Sequence, residues 1–391
     1  MKKLSSIAYQ IDGQPMFKTL ARVQELERQG RSIIHFELGE PDFDTPENIV
    51  DAACRALHNG ETHYTTSAGL YEFRDAARHT TKVSRGFEPN IDQVLVTPGA
   101  NAIIYYTVKC VVNPGDEVIV PDPGFPTYYS AIKACGAVAV RVPLKEENGF
   151  RMQPADLRAA ITDKTRLIIF NSPSNPTGAA NTCAEIHEIA EIAKEKDVYL
   201  LSDEIYSRLI FNKERKFCSP SYLDQCKERT IIINGFSKAF AMTGWRLGVA
   251  IGPPGVIEKM RLLNETIVSC VPPFIQRAGI EAIVGDATGV NAMREEYTRR
   301  RDIITDGLNS LPGVRCTRPD GAIYVFPSIT ETGMSSDAFS EFAMQNAGVA
   351  LLPGNNFGPG GEGFVRLSYV NSVDNIEKAI ERLAEALREY V

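Results

Sequence analysis

Short apolar runs separated by longer amphipathic stretches organise most of this chain. Seven such runs recur in its middle: Val94 to Thr97, Glu117 to Pro121, Ala137 to Val142, Arg166 to Asn171, Val198 to Ser202, Thr230 to Asn234 and Leu247 to Gly252. Near-continuous apolar strands belong to sheets covered on both faces. Their alternation with helical patterns therefore predicts an α/β fold with a mostly parallel, seven-stranded sheet. The segment 182–196 illustrates the covering layer, with Ala184, Ile186, Ile189, Ala190 and Ala193 recurring on one predicted helical face. From about Gly285 the pattern changes to a long charged helix, short strands near Ala322 to Phe326 and Val349 to Leu352, and an amphipathic helix after Asn371. A smaller α/β domain is expected there. Residues 1–45 carry no core pattern of their own.

Composition changes this picture little. The 391 residues exceed what one core usually serves, which agrees with two domains, and an apolar fraction of 43 % is ordinary for a globular protein. A net charge of −7 offers no basic field for nucleic acid or anionic lipid, so neither is expected as a partner. No run approaches the length of a membrane span, and the start, Met1-Lys2-Lys3-Leu4-Ser5-Ser6, has no apolar block after its charges. The eight cysteines are scattered without a C-x-x-C pair, and are expected to be reduced packing residues of a cytoplasmic protein. The five histidines show no ligand spacing, and no metal site is expected.

The candidate chemistry centres on the run Ser237-Lys238-Ala239-Phe240-Ala241-Met242-Thr243-Gly244-Trp245-Arg246-Leu247-Gly248. It sets an amine and a planar cationic fork eight residues apart, as an aldehyde cofactor bearing a phosphate requires. Pyridoxal phosphate is such a cofactor. Asn171-Ser172-Pro173-Ser174-Asn175-Pro176-Thr177-Gly178 follows the apolar run Leu167-Ile168-Ile169-Phe170, placing amide side chains at a strand's exit. Asp203, with Tyr206 three residues on, leaves the strand that starts at Val198. A carboxylate there can hold a pyridine nitrogen cationic, while Tyr206 and Asn175 can bond a ring hydroxyl. In Phe364-Val365-Arg366-Leu367-Ser368-Tyr369 an arginine interrupts an apolar strand and can grip a carboxylate bidentately. Taken singly, each has a commonplace role: Asp203 a helix cap, Tyr206 and Phe125 core aromatics, Arg366 an edge residue. Gly358-Pro359-Gly360-Gly361-Glu362-Gly363 spells G-x-G-x-x-G, but it contains proline and leads into a strand, so a loop is expected and no nicotinamide cofactor.

In the order of these motifs, beginning with Leu38-Gly39-Glu40-Pro41-Asp42-Phe43-Asp44-Thr45-Pro46, the whole chain resembles a fold-type-I, class I/II aminotransferase, most closely the bacterial aspartate-aminotransferase-like subgroup. The resemblance implies a pyridoxal-phosphate-dependent transferase fold, with a large domain at 46–284 and a small one made of 1–45 plus 285–391. It makes Lys238 the catalytic imine lysine and proton carrier. Asp203, Asn175, Tyr206 and the stacking Phe125 become ring contacts, Arg246 and the turn Gly99-Ala100-Asn101 phosphate contacts, and Ser237 a further cofactor-binding residue. Gly39, Asn175 and Arg366 become substrate-binding residues. Tyr64 matches a tyrosine lent to the neighbour's phosphate, which implies a homodimer with shared active sites.

Two departures stand out. Gly235 occupies a position where many relatives carry serine. Phe125 and Asn101 replace the tryptophan and lysine of aspartate-using relatives, and no distal-carboxylate binder shows in Glu265 to Pro273. The resulting expectation is an amino-acid:2-oxo-acid aminotransferase whose donor is not strictly aspartate, with specificity read by Ile11 to Lys18, Tyr324 and nearby loops. A lyase, oxidase or decarboxylase using the same cofactor contacts is the alternative, and a non-catalytic sensor a third.

Overall fold

Strands and helices follow the predicted alternation closely. The computed structural model describes residues 2–5, 7–10, 13–211 and 217–390. Met1, Ser6, Ile11 and Asp12, which enter the sequence readings above, lie outside the described residues. In chain order the strands are β1 (Ile34–His35), β2 (Val94–Thr97), β3 (Glu117–Asp122), β4 (Val138–Pro143), β5 (Thr165–Asn171) and β6 (Tyr199–Asp203). There follow β7 (Thr230–Gly235), β8 (Gly248–Ile251), β9 (Tyr324–Val325), β10 (Val349–Ala350), β11 (Leu352–Pro353) and β12 (Val365–Ser368).

Seven of these form one sheet in the order β2-β8-β7-β6-β5-β3-β4. It is parallel except at β8, which runs antiparallel to both β2 and β7. Ile168, Leu200, Ile231 and Ala250 are fully buried within it, and each buried branched side chain contributes about 1.5–3 kcal/mol relative to exposure. The covering helix Cys183–Glu195 starts at a capping box in which Thr182 and Glu185 exchange side-chain-to-backbone bonds. It buries Ile186, Ile189, Ala190, Ile192 and Ala193. Ala184, expected on that face, is exposed and Ile192 takes its place, because the apolar stripe begins only after the first turn.

The remaining strands make two small sheets. β1 pairs with β10 in parallel, and β11-β12-β9 form an antiparallel set. The N-terminal segment thus joins residues from the C-terminal third. Their core, containing Ile34, Tyr297, Tyr324, Val365 and Tyr369, also takes in Tyr206 from the loop after β6. The long helix Thr288–Asn309 and the terminal helix Val373–Tyr390 lie against each other. Gly358 to Gly363 is a loop of tight turns leading to β12, with Gly360 N–H donating to Asp122 Oδ1 at 3.0 Å.

One expectation is overturned. Cys183 and Cys218 form a disulfide, their Cα atoms 5.5 Å apart, so not every cysteine is a reduced packing residue. They are 35 residues apart in sequence and meet only because the strands of the sheet bring their loops together. The other six cysteines are free. Among the described residues no helix is long and apolar enough to cross a membrane, and no cluster of histidine, cysteine and carboxylate side chains could hold a metal.

Candidate active site

β5, β6 and β7 end on one side of the sheet, and the residues that follow them converge there on a cavity of about 530 Å³. Its walls include Lys238, Arg246, Asp203, Tyr206 and Asn175. Ligand sites in open α/β sheets form at these carboxyl ends because strands stop there and loops diverge.

Asp203 is the last residue of β6, and the two-residue period of a strand sends it and Glu204 opposite ways. Glu204 pairs with Arg85 in a buried ion pair, whereas Asp203 faces the cavity. Its Oδ2 accepts from Tyr128 Oη at 2.6 Å and its Oδ1 from the Ile205 amide at 3.2 Å. Burial outweighs these bonds and raises the carboxyl pKa to about 6. Asn171 ties β5 to the same place. Its Nδ2 donates to the Asp203 carbonyl at 3.0 Å, and its Oδ1 accepts from the Asn175 amide at 2.9 Å.

Lys238 sits in the turn after β7 and donates to the Gly39 carbonyl. Burial lowers its pKa, Arg366 and Arg246 adding to the effect while Tyr324 and Glu40 oppose it. That turn is built from uncommon backbone: Ala241 has φ 51° and Arg246 has φ 55°, left-handed values that cost a non-glycine residue free energy. The turn throws the Arg246 guanidinium across Gly99, where a Cβ would meet Nη2 at 2.5 Å. Gly99, at φ 87°, precedes the helix Ala100–Val111, and the first amides of a helix have no intrahelical acceptor and suit an anion. Ala100 and Asn101 line the cavity, as do Ser237, Phe125 and Gly39.

Arg366 lies in β12, fully buried behind this wall. Its Nη1 donates to Asn175 Oδ1 at 3.3 Å and its Nη2 to the Glu37 carbonyl. Its planar head is stacked between Tyr324, 4.5 Å from the ring centre, and Phe357, at 4.9 Å. The Nε atom is buried without a hydrogen-bond partner among the described residues. An orphaned donor of this kind is costly unless an acceptor arrives. Tyr206 Oη bonds Tyr324 Oη at 2.9 Å, connecting the arginine to the cavity wall.

Of the residues singled out in sequence, Gly39, Ala100, Asn101, Phe125, Asn175, Asp203, Tyr206, Ser237, Lys238 and Arg246 line the cavity. Gly99 adjoins it under Arg246, and Arg366 joins through Asn175. Tyr64 does not line the cavity of its own subunit and is 88 % exposed. Gly235 also has a reason here: a Cβ on it would lie 2.5 Å from Ile205 Cδ1, so a serine needs that side chain to move. Tyr128, Asn171 as a brace, Phe357 and Glu37 were not singled out. Tyr128 lies three residues after Phe125, one helical turn on, and that spacing was the available signal.

The fold and the site together define an enzyme of the aminotransferase kind. The sequence profile of aminotransferase class I and II matches residues 31–383, and the chain belongs to that family. It is 41 % identical to an aspartate aminotransferase of Pyrococcus horikoshii over 94 % of both chains, and 39 % identical to aromatic-amino-acid aminotransferase 2 of Thermococcus litoralis over 95 % of both. Its structure superposes on the aspartate aminotransferase of Thermus thermophilus with maleate at a TM-score of 0.94 and 36 % identity, covering 99 % of this chain and 100 % of that one.

Proposed function

We propose that this aminotransferase uses pyridoxal phosphate, held in the cavity described, to move an amino group from a donor that is not strictly aspartate to a 2-oxo acid in two half-reactions. The observation that carries the reading is the convergence of an amine, a carboxylate and an arginine, Lys238, Asp203 and Arg246, on one cavity. These residues fit the cofactor: the arginine cradle over Gly99 suits a phosphate, and the carboxylate braced by Tyr128 suits a cationic ring nitrogen. Bound there, pyridoxal phosphate supplies an electron sink that acidifies the α-C–H bond of an amino acid.

Every other task falls to the chain. Arg246, Ser237 and the amides of Ala100 and Asn101 hold the phosphate; Asn175 and Tyr206 serve the ring hydroxyl and Phe125 the ring face. Lys238 carries the cofactor between turnovers, and its amine, biased towards the neutral form by burial, accepts and returns the α-proton. Arg366 holds the substrate's carboxylate, beside Gly39 and Asn175, which supplies the acceptor its Nε lacks. Tyr64, exposed and outside the lining of its own cavity, supports a homodimer in which it completes the neighbour's site. The same reading divides the chain into 46–284 and 1–45 plus 285–391. It places the protein in the cytoplasm, with the Cys183–Cys218 bond as the feature that weighs against that location.

The donor preference rests on the mouth of the cavity. Met16, Phe17, Leu20 and Leu38 line it, Phe17 being 58 % exposed, and the lining holds no cation beyond Lys238 and Arg246 among the described residues. A distal carboxylate finds no further cation there among the described residues, whereas an apolar side chain covers exposed apolar surface. With a common oxo-acid acceptor, kcat/KM for leucine or phenylalanine is expected to exceed that for aspartate by about tenfold or more. A tenfold preference for aspartate, about 1.4 kcal/mol in the opposite sense, would overturn the donor assignment.

A second expectation concerns the phosphate cradle. Gly99→Ala displaces Arg246 and strains a left-handed backbone, so pyridoxal phosphate affinity should fall by about ten- to hundredfold. Titration of the visible absorption band measures it, and unchanged affinity would remove Arg246 from the phosphate site.

A further inference from the structure

Beside Arg366 lies a carboxylate that the proposed chemistry does not use. The Glu37 side chain is 0 % exposed. Its Oε1 meets His35 Nδ1 at 2.8 Å, and its Oε2 has no hydrogen-bond partner among the described residues. The other ring nitrogen of His35, Nε2, meets Glu27 Oε1 at 3.0 Å, on the N-terminal helix Pro15–Arg28. Both ring nitrogens thus face carboxylate oxygens, which only accept, so both must donate and His35 is an imidazolium. Residues 35 and 37 share a face because side chains in extended chain repeat every two residues. The Glu37 backbone, meanwhile, is already bound to Arg366 through its carbonyl. One buried patch therefore contains an orphaned carboxylate oxygen and an orphaned guanidinium nitrogen, and no ion pair joins the two groups among the described residues.

We propose that Glu37 is the resident counter-charge of Arg366, and that the His35–Glu37 pair sets how tightly this arginine holds a substrate carboxylate. This rests on reading Arg366 as the carboxylate anchor. The sign of each effect follows from Coulomb's law in a site of low polarity. With His35 protonated, its charge offsets that of Glu37, and an arriving carboxylate meets an arginine only weakly opposed. When His35 loses its proton, the bare Glu37 carboxylate opposes the substrate's like charge. A neutral side chain at position 37 removes that opposition. The hydrogen bond to Arg366 comes from the Glu37 backbone and survives substitution of the side chain, so charge and position separate experimentally.

The groups facing the pair are Glu27 on the N-terminal helix, Arg366 on β12, and Tyr324 and Tyr206 around the arginine. The bond to Glu37, with a smaller contribution from Glu27, raises the His35 pKa from 6.5 to about 9. A histidine whose folded pKa is raised contributes stability that is full below 6.5 and lost as the pH climbs through about 9. Carboxylate affinity is expected to fall across the same upper range.

The test is the calorimetric dissociation constant of 4-methyl-2-oxopentanoate, the oxo acid of leucine, on the aldehyde form of the holoenzyme, where it binds without reacting and brings no amine of its own to titrate. Wild-type protein should bind more weakly as pH rises from about 8 to about 10. Glu37→Gln should bind on the order of fivefold more tightly at neutral pH and lose that pH dependence. His35→Gln should bind more weakly at neutral pH and also lose it. A merely structural role for either residue predicts weakening in both. Glu37→Gln that weakens binding or leaves it unchanged, while Arg366→Lys weakens it, overturns the inference and spares the anchor. Unchanged binding in Arg366→Lys overturns the anchor, and the inference with it. If His35→Gln does not fold, Glu37→Gln and the wild-type pH dependence decide the matter.

Discussion

Lys238→Ala is expected to lower kcat by about 10⁴-fold or more and to abolish the imine absorption band of the bound cofactor. The amine has two proposed tasks, carrying the cofactor and moving the α-proton, and no other lysine lines the cavity among the described residues. Folding should hardly change, because the side chain's bond is to the Gly39 carbonyl and its amine is disfavoured by burial. A melting temperature close to wild type, with activity lost, separates chemistry from structure. Substantial turnover by the variant would contradict the mechanism.

Asp203→Asn should cost less in kcat, about 10²- to 10³-fold, yet leave the cofactor-free protein as stable as wild type or more so near neutral pH. The sign follows from its carboxyl, which burial raises from 3.8 to about 6. A folded state that binds the proton more tightly than the unfolded one loses stability as pH rises from 3.8 to about 6, and the penalty persists above. Asparagine has no charge to bury, and can accept from the Ile205 amide while donating to Tyr128. Below about pH 4 the advantage should vanish. Thermal melts of both proteins across this range, without cofactor, measure it. A strongly destabilised variant at pH 7 would mean that the carboxylate serves the fold rather than a cationic ligand.

Stability and function therefore pull apart at Asp203, as they do at Arg246 with its left-handed backbone and at Arg366 with its orphaned Nε. Each is tolerated because the surrounding sheet and the packed core around Tyr324 and Tyr369 hold it in place, and on the proposed function each becomes favourable when an ion arrives. Two of these positions line the cavity and the third joins it through Asn175, which marks a candidate ligand site.

Much of this was legible in the sequence because its signals are local. The seven apolar runs match the seven strands of the large sheet, since a strand buried on both faces must be apolar along its length. Asp203 ends β6, Asn175 and Lys238 follow the ends of β5 and β7, and Arg246 closes the turn before β8, and they do meet in one cavity. The contacts between distant segments were not legible. The brace from Tyr128 to Asp203 spans 75 residues and the bond from Arg366 to Asn175 spans 191, and neither leaves a trace in periodicity. Glu37 gave no warning either, because an extended chain with one buried acid looks the same as one with that acid in solvent until the packing around His35 is known. The cysteine reading failed for the same reason: Cys183 and Cys218 lack any spacing motif, and only the fold brings them together.

The central claim is transamination, and a single half-reaction tests it. Purified protein loaded with pyridoxal phosphate is mixed with leucine or phenylalanine in the absence of any oxo acid, and the visible spectrum and products are followed. The account requires the absorption band to disappear with release of one equivalent of the matching oxo acid, and to return when a second oxo acid is added. Release of ammonia or carbon dioxide with turnover continuing in the absence of an acceptor would contradict it.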